Sequence, residues 1–185
     1  MGRHTEALAQ IKLAQELDPL NMYAKFGEGQ ALYNAHRFDE AIRQLQHVIE
    51  LQQDFSFAHY FLGVSYAMKG MYPEAIAEYQ KFSSLEGETT ENQIYLGYSY
   101  AMSGQREKAL AILKKMKTTT DYVSPAELAI LYTGLGDKDG AFQELERAYA
   151  AHDLQMQYLK VEPHYDSLRS DPRFADLMRR VGLPV

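Results

Sequence analysis

The 185-residue sequence contains no cysteine, which excludes disulfide bonds and thiol catalysis. It also has no uninterrupted apolar run of about 20 residues, the length that a helix needs to cross a bilayer. The amino terminus lacks the apolar core of a signal peptide. Together these absences predict a cytoplasmic chain with no membrane segment, since a cysteine-free sequence suits a reducing compartment.

The sequence has no excess of basic residues. Its 19 lysines and arginines are outnumbered by 25 aspartates and glutamates, which gives a formal net charge of −6 and a pI near 5.5. Nucleic-acid-binding proteins usually present a basic face. The charge balance therefore predicts no nucleic-acid partner.

Catalytic and metal-binding patterns are missing as well. The six histidines form no pair at metal-ligand spacing, and no HExxH string occurs. Glu6, Glu40 and Glu74 recur regularly, but they lie one repeat apart and cannot act together on one bond. We therefore predict no catalytic residue, no metal site and no cofactor, and we expect the chain not to be an enzyme.

What the sequence does contain is a fixed period. Ala7, Ala41, Ala75 and Ala109 stand 34 residues apart. The neighbouring residues repeat too: Leu62, Gly63, Tyr66 and Gly70 recur as Leu96, Gly97, Tyr100 and Gly104. A period of this size indicates stacked structural units.

Each unit is predicted to be a helical hairpin. Leu62, Gly63 and Tyr66 are about one turn apart and share a face of a first helix, and Ala75 and Tyr79 share a face of a second. A small residue such as Gly63 lets the two helix backbones cross closely. Gly70 suits the left-handed residue that ends the first helix. In the second unit His36 stands at that position, and histidine tolerates positive φ, so we expect the turn to be kept.

This pattern resembles the tetratricopeptide repeat. The resemblance implies an all-α fold, a right-handed α-solenoid of helical hairpins with a C-terminal capping helix, that serves as a protein-binding scaffold. The predicted organisation is a half repeat over 1–20, repeats over 21–54, 55–88, 89–122 and 123–157 that complete an array over 1–157, and an extended segment with a capping helix over 158–185.

The C-terminal stretch carries a resemblance of its own. Asp171 and Pro172 read as the start of a helix, Gly182 as its end, and Phe174 and Leu177 as part of its apolar stripe. From Tyr158 to Pro184 the sequence resembles a tail that closes tetratricopeptide regions in bacterial signalling proteins. The resemblance implies that the chain is the sensory or recruitment part of such a protein.

In the N-terminal half repeat, the sequence predicts only the second helix of a hairpin, over residues 3–17, and lacks the first helix that would pair with it. Such a helix would expose Leu8 and Ile11. This face suggests either a truncated larger protein or a surface that finds a partner.

A binding groove is predicted by the family resemblance, which places it on one face of each first helix. In the repeat over 21–54 that rule selects Tyr23, Phe26, Gln30, Tyr33 and Asn34. In the repeat over 55–88 it selects Phe57, Tyr60, Val64, Ala67 and Met68, and in the repeat over 89–122 it selects Glu91, Ile94, Tyr98, Ala101 and Met102. The set is mostly aromatic and apolar. Asn34 alone matches the lysine, arginine and asparagine with which chaperone-binding repeats hold a C-terminal carboxylate, so that mode is disfavoured.

Two interpretations of this aromatic stripe remain open: an accessible groove for a peptide or partner helix, or ordinary packing within the array. At the level of function we favour a non-catalytic scaffold that binds a protein or peptide partner through the groove. The alternative is a self-association module that forms a homo-oligomer through the N-terminal half repeat.

Overall fold

The computed structural model describes the backbone of residues 2–184 and the side chains of residue 6 and of residues 8–184; the side chain of Ala7, the first alanine of the period, lies outside them. Within these residues the regular elements are ten α-helices and two 3-10 helices, without a strand. This confirms the all-α prediction. The chain divides into two compact units, Met1–Gly87 and Glu88–Val185.

The first unit is built of five helices: α1 (Gly2–Leu17), α2 (Met22–Asn34), α3 (Phe38–Leu51), α4 (Ser56–Met68) and α5 (Tyr72–Glu86). Helices α2 and α3 form one hairpin and α4 and α5 the next, and α3 packs on α4. Helix α1 lies where the sequence predicts the single helix of the N-terminal half repeat, and it packs on α2.

The second unit contains α6 (Thr90–Met102), α7 (Arg106–Thr118), α8 (Pro125–Leu135), α9 (Lys138–Ala150) and α10 (Pro172–Val181). Helices α6 and α7 form a hairpin, as do α8 and α9, and α6 packs on α8. Helix α10 packs on α9. Its limits follow the sequence: Asp171 accepts a hydrogen bond from the Arg173 amide at 3.0 Å, and Gly182 is left-handed with φ 81°.

The turns inside the hairpins use the left-handed backbone that the sequence predicts. Gly70 has φ 73°, and His36 has φ 58° at the matching position after α2. At both positions a left-handed residue reverses the chain between the two helices of a hairpin, although only glycine adopts positive φ without strain. The prediction that His36 keeps the turn is confirmed.

The close helix crossing predicted at Gly63 is also present. A Cβ atom built on Gly63 would lie 2.8 Å from Cε1 of Tyr79, whose side chain is fully buried in the same hairpin. Because real carbon atoms do not approach so closely, a larger residue here would displace the Tyr79 ring or the helix that carries it. Glycine at this position lets the tyrosine ring fill the hairpin core.

The sequence predicts an extended segment that begins at residue 158, but the structure has a turn at 159–161. This turn lies within residues 154–168, here called the C-terminal segment, which form two 3-10 helices, Leu154–Tyr158 and Pro163–Leu168. Each begins at a carboxylate that caps it: Asp153 accepts from the Gln155 amide at 2.9 Å, and Glu162 accepts from the His164 amide at 3.1 Å. Local capping therefore overrides the extended preference of this stretch.

Candidate functional site

The first unit carries a continuous cluster of aromatic rings on and beside α2 and α4. We call Tyr23, Phe26, Phe55, Phe57 and Phe61 the aromatic surface. Phe26 lies at its centre, with ring centroids 5.4 Å from Phe55, 6.3 Å from Phe57 and 5.4 Å from Phe61. Tyr23 packs on Phe55 at 5.5 Å. These distances are typical of favourable edge-to-face and tilted ring pairs.

The outer rings of the aromatic surface are accessible. Tyr23 is 74% exposed and Phe57 is 53% exposed, whereas Phe55 is buried beneath them. Phe26 and Phe61 are half-buried. The arrangement presents two large apolar side chains to solvent on a base that packing holds in place, as in the anchor regions of protein interfaces.

The structure separates the groove residues predicted in the second and third repeats into three groups. Tyr23 and Phe57 are exposed; Phe26, Gln30, Asn34 and Met68 are half-buried; Tyr33, Tyr60, Val64 and Ala67 are buried. Buried members cannot touch a partner directly in this conformation. They can support the exposed ones from below.

Tyr60 illustrates the buried group. Its ring lies 5.3 Å from Phe61 and 5.6 Å from Phe82, so it fills the space between α4 and α5. Sequence reasoning missed Phe55 and Phe61, which lie outside the positions that the family rule selects. The four-residue spacing between Phe57 and Phe61 could have revealed the second of them, since residues at that spacing share a helix face.

The corresponding face of the second unit is covered. Ile94 on α6 is fully buried at 0% exposure and Tyr98 is 9% exposed. Glu91 and Met102 at the ends of the same helix are exposed, and Ala101 is half-buried. The ring of His164, from the C-terminal segment, lies edge-on to Tyr98 with centroids 4.6 Å apart.

Helix α8 shows how the C-terminal segment lies on this face. The Tyr165 hydroxyl donates to the carbonyl of Ala126 at 2.5 Å. The Thr133 hydroxyl donates to the carbonyl of His164 at 3.2 Å. By repeat spacing, Ala126 and Thr133 are two of the five groove positions of the repeat 123–157. The C-terminal segment thus occupies, within the second unit, the face on which the first unit carries its aromatic surface.

Polar contacts hold the C-terminal segment in shape. Nδ1 of the buried His164 lies 2.5 Å from Oε1 of Glu162, and the Arg169 guanidinium donates to the Glu162 carbonyl at 3.2 Å. Leu159 and Leu168 anchor it in the core with fully buried side chains. These contacts make the segment an integral part of the second unit.

The apolar side chains that the N-terminal half repeat exposes are not the predicted Leu8 and Ile11. Leu8 and Ile11 are half-buried, because α1 packs on α2. Leu13, Leu17 and Leu20 are exposed instead. The exposed leucines therefore lie in the C-terminal half of α1 and just beyond its end.

Two further features concern metal binding and membrane spanning. Among residues whose placement the structure describes, no group of three or more histidine, cysteine, aspartate or glutamate side chains is arranged to hold a metal ion. In the same part of the chain, no helix combines the length and apolar character that spanning a membrane requires.

Comparison with known proteins agrees with this architecture. The family model described as tetratricopeptide repeat matches residues 1–51 and again residues 26–83. Curated protein sequences give no significant match. Solved structures with the same fold include TTC0263, a thermophilic TPR protein in Thermus thermophilus, which is 20% identical with a TM-score of 0.66 over 96% of this chain and 92% of that one.

Two further structures are similar over most of their length. MamA is 21% identical with a TM-score of 0.59, over 85% of this chain and 93% of that one. YrrB, described as a TPR protein with an unusual peptide-binding site, is 16% identical with a TM-score of 0.55, over 92% of this chain and 90% of that one. Identities this low show the fold alone. The family match, the helical hairpins and their left-handed turns together identify tetratricopeptide repeats over residues 1–83, and the similar structures show that most of the chain has the fold of tetratricopeptide-repeat proteins.

Proposed function

We propose that the chain is a non-catalytic scaffold that binds an apolar helix or extended peptide of a protein partner through the aromatic surface of its first unit. The observation that carries this proposal is the exposure of Tyr23 and Phe57, at 74% and 53%, on a base formed by Phe26, Phe55 and Phe61. Large exposed aromatic side chains on a rigid base are typical binding anchors. The tetratricopeptide fold supports the same role, since its members are generally scaffolds of this kind.

The partner's chemistry follows from the lining. Gln30 and Asn34 are the polar members of the predicted groove in this unit, beside aromatic side chains, and neither carries a charge. A partner held here would therefore contribute leucine, methionine or aromatic side chains and few charges. Its affinity should change less than about twofold between roughly 0.05 and 0.5 M salt, because apolar contacts are not screened.

Peptides selected from a random phage-displayed library against the whole protein provide the probe. Replacing Tyr23 and Phe57 by alanine should weaken the selected peptides by about 30-fold or more, which corresponds to about 2 kcal/mol. Leu51→Ala is the matched control, since Leu51 lies in the same unit and is also 53% exposed. Equal loss in the control, or normal binding by the double variant with intact helical circular dichroism, would contradict the proposal.

A second candidate function is self-association through α1. Leu13 and Leu17 on this helix are exposed, and an apolar helix face favours burial against another chain. Light scattering should then detect a dimer that Leu13→Gln with Leu17→Gln converts to a monomer. Leu110→Gln, at an exposed leucine of α7, should leave it intact. A monomeric wild-type protein at about 100 μM would remove this candidate, since interface-driven dimers usually form below that concentration.

The setting of the scaffold is a further part of the proposal. The resemblance of residues 158–184 to the tails of bacterial signalling proteins suggests a recruitment role in such a protein. The genomic reading frame around the coding sequence tests this directly. A catalytic or DNA-binding domain encoded in frame upstream would support it, and a stop codon directly upstream of Met1 would contradict it.

A further inference from the structure

A buried histidine of the first unit, His59 on α4, contacts both α5 and the turn between α3 and α4. The residue is 6% exposed. Its Nδ1 lies 2.6 Å from Oε2 of Glu78 on α5. Its Nε2 lies 3.0 Å from the carbonyl oxygen of Gln53 in the turn. One ring therefore joins three elements of this unit.

Both partners of the His59 ring are hydrogen-bond acceptors. A carbonyl oxygen can only accept, and an ionised carboxylate has no proton to donate. Neutral imidazole has a single N–H group and satisfies one of the two contacts, whereas imidazolium donates to both. The Glu78 side chain is 23% exposed, so water still reaches the carboxylate that supplies the counter-charge. The geometry therefore fits the charged form of His59.

The charges around the ring favour the same form. Burial lowers the pKa of His59, but the hydrogen bonds to Glu78 and to the Gln53 carbonyl, with the negative charge of Glu78, outweigh it. The pKa therefore lies above its ordinary value of 6.5, although the positive charge of Lys81 on α5 acts against this. Because the pKa is raised by folding, the two contacts add stability at low pH that is lost as pH rises through the folded-state pKa.

Charged side chains on the other helices that pack on α4 have partners of their own. On α3, Nδ1 of His47 lies 3.6 Å from Oε2 of Glu50, and both side chains are largely exposed. On α2, Glu28 accepts from Nε2 of Gln15 at 2.9 Å. The proton on His59 is therefore held by α5 and by the turn.

The turn that His59 contacts carries part of the aromatic surface. Gln53 lies two positions before Phe55, whose buried ring packs against two other rings of that surface. Phe55 is also the N-cap residue of α4, where its side chain supplies no capping hydrogen bond. The Phe55 amide donates to the Gln52 carbonyl at 3.2 Å, and the His59 ring holds the next carbonyl. Loss of the proton on His59 would leave one of its two contacts without a donor and loosen the turn beside Phe55.

We propose that His59 is a proton-dependent positioning residue of the aromatic surface. As imidazolium it ties the α3–α4 turn to Glu78 and keeps Phe55 in place beneath the exposed rings. When the proton leaves, the turn loosens and the surface binds its partner more weakly. This inference rests on the proposed binding function of that surface and adds its regulation by pH.

The first measurement needs no partner and uses NMR spectra of the whole protein. The His59 ring signals, assigned by their absence in His59→Gln, should show two N–H groups at about pH 6 and lose one at higher pH. The Phe55 amide should shift with the same midpoint, and the amide of Phe142, buried in the second unit, should not. A neutral His59 at about pH 6, or a Phe55 amide that does not follow its titration, would overturn the proposal even if no peptide binds the surface.

The second measurement uses a peptide selected against the whole protein that has blocked ends and no histidine. Its affinity should fall at least about threefold from about pH 6 to about pH 8.5, because the fraction of chains with an ordered turn decreases. Binding that is constant or rises across this range would overturn the regulation by His59 and leave the scaffold function intact. The variant that lacks Tyr23 and Phe57 remains the separate test of that function.

Variants distinguish a titrating role from a merely structural one. His59→Gln keeps an N–H donor and does not titrate, so its affinity should vary less than about 1.5-fold over the same pH range. His47→Gln, at a histidine of α3 whose side chain is 52% exposed, should keep the wild-type pH profile. Should His59→Gln lose its helical signal, Glu78→Gln replaces it. Without the counter-charge, the fall in affinity should move to lower pH by about one unit or more. An unchanged profile in the folded variant would refute the assignment.

Discussion

The two units of this chain use the same helical hairpin but present different side chains on the face of its first helices. In the first unit Tyr23 and Phe57 leave that face open. In the second unit α8 packs on α6 and the His164 ring lies edge-on to Tyr98, and Ile94 and Tyr98 are buried. Tyr60 and Val64, the first-unit equivalents of Ile94 and Tyr98, are buried as well. The units therefore differ at the position of Tyr23 and Phe57, where the first unit exposes aromatic rings and the second exposes the carboxylate of Glu91.

The largest expected effect comes from removing the capping helix. Deleting residues 171–185 exposes the surface that Phe174, Leu177 and Met178 bury in the second unit. Burial of each such side chain is worth about 1.5 to 3 kcal/mol, so the free energy of unfolding should fall by about 5 kcal/mol. Urea denaturation of the full chain and of the deletion variant measures this change in the free energy of unfolding. An unchanged midpoint would show that α10 does not stabilise the second unit.

The next prediction compares a buried tyrosine of the second unit with an exposed tyrosine of the first. Tyr98→Ala should lower the free energy of unfolding by about 3 to 5 kcal/mol, because it removes a buried ring from beneath His164. Tyr23→Ala should change it by less than about 1 kcal/mol, because that ring is mostly in solvent. Comparable losses in the two variants, measured in urea at one pH, would break the distinction between the units.

The smallest effect depends on pH and concerns Glu127. Burial, followed by the negative charges of Glu91 and Asp153, raises its pKa in the folded chain to about 8, above the ordinary value of 4.5. The folded state therefore holds a proton that the unfolded state releases between those pH values, and stability falls across that window as pH rises. Glu127→Gln removes this loss, so it should stabilise the protein by about 1 to 3 kcal/mol at pH 9.

The same variant should have little effect near pH 4, where the carboxyl is protonated in the folded and largely in the unfolded state. Melting curves at pH 4 and pH 9 give the comparison. A gain that is equal at both pH values would mean that the charge of Glu127 is not its cause. Glu107→Gln, on α7 in the same unit, controls for the change in net charge.

Much of the fold could be predicted from the sequence, because its determinants are local and repeated. The left-handed turn at His36 and the close crossing at Gly63 both follow from a residue and its place in the period. The division of the aromatic stripe into exposed and buried members could not be predicted in this way. Tyr98 is covered by His164 and by α8 at Gly134, and both lie far away in the sequence.

The C-terminal segment shows the same limit. Its extended appearance came from apolar residues near Tyr158, whereas its 3-10 turns depend on the carboxylates of Asp153 and Glu162. The contact of Glu127 with Gln155 was missed for a related reason: Nε2 of Gln155 donates to Oε1 of Glu127 at 2.8 Å, although the two residues are 28 positions apart in the chain. Spacing within a repeat cannot reveal contacts made outside it.

Asp153 has a consequence for how this chain can be handled. Its carboxylate joins the start of α8 to the start of the C-terminal segment, 29 positions along the chain from Ser124. In a sequence without cysteine these two elements are joined by a hydrogen bond of the folded state, which forms without an oxidant and does not respond to thiol reductants. The second unit should therefore refold equally well with or without dithiothreitol, a convenience for any partner screen performed in reducing extracts.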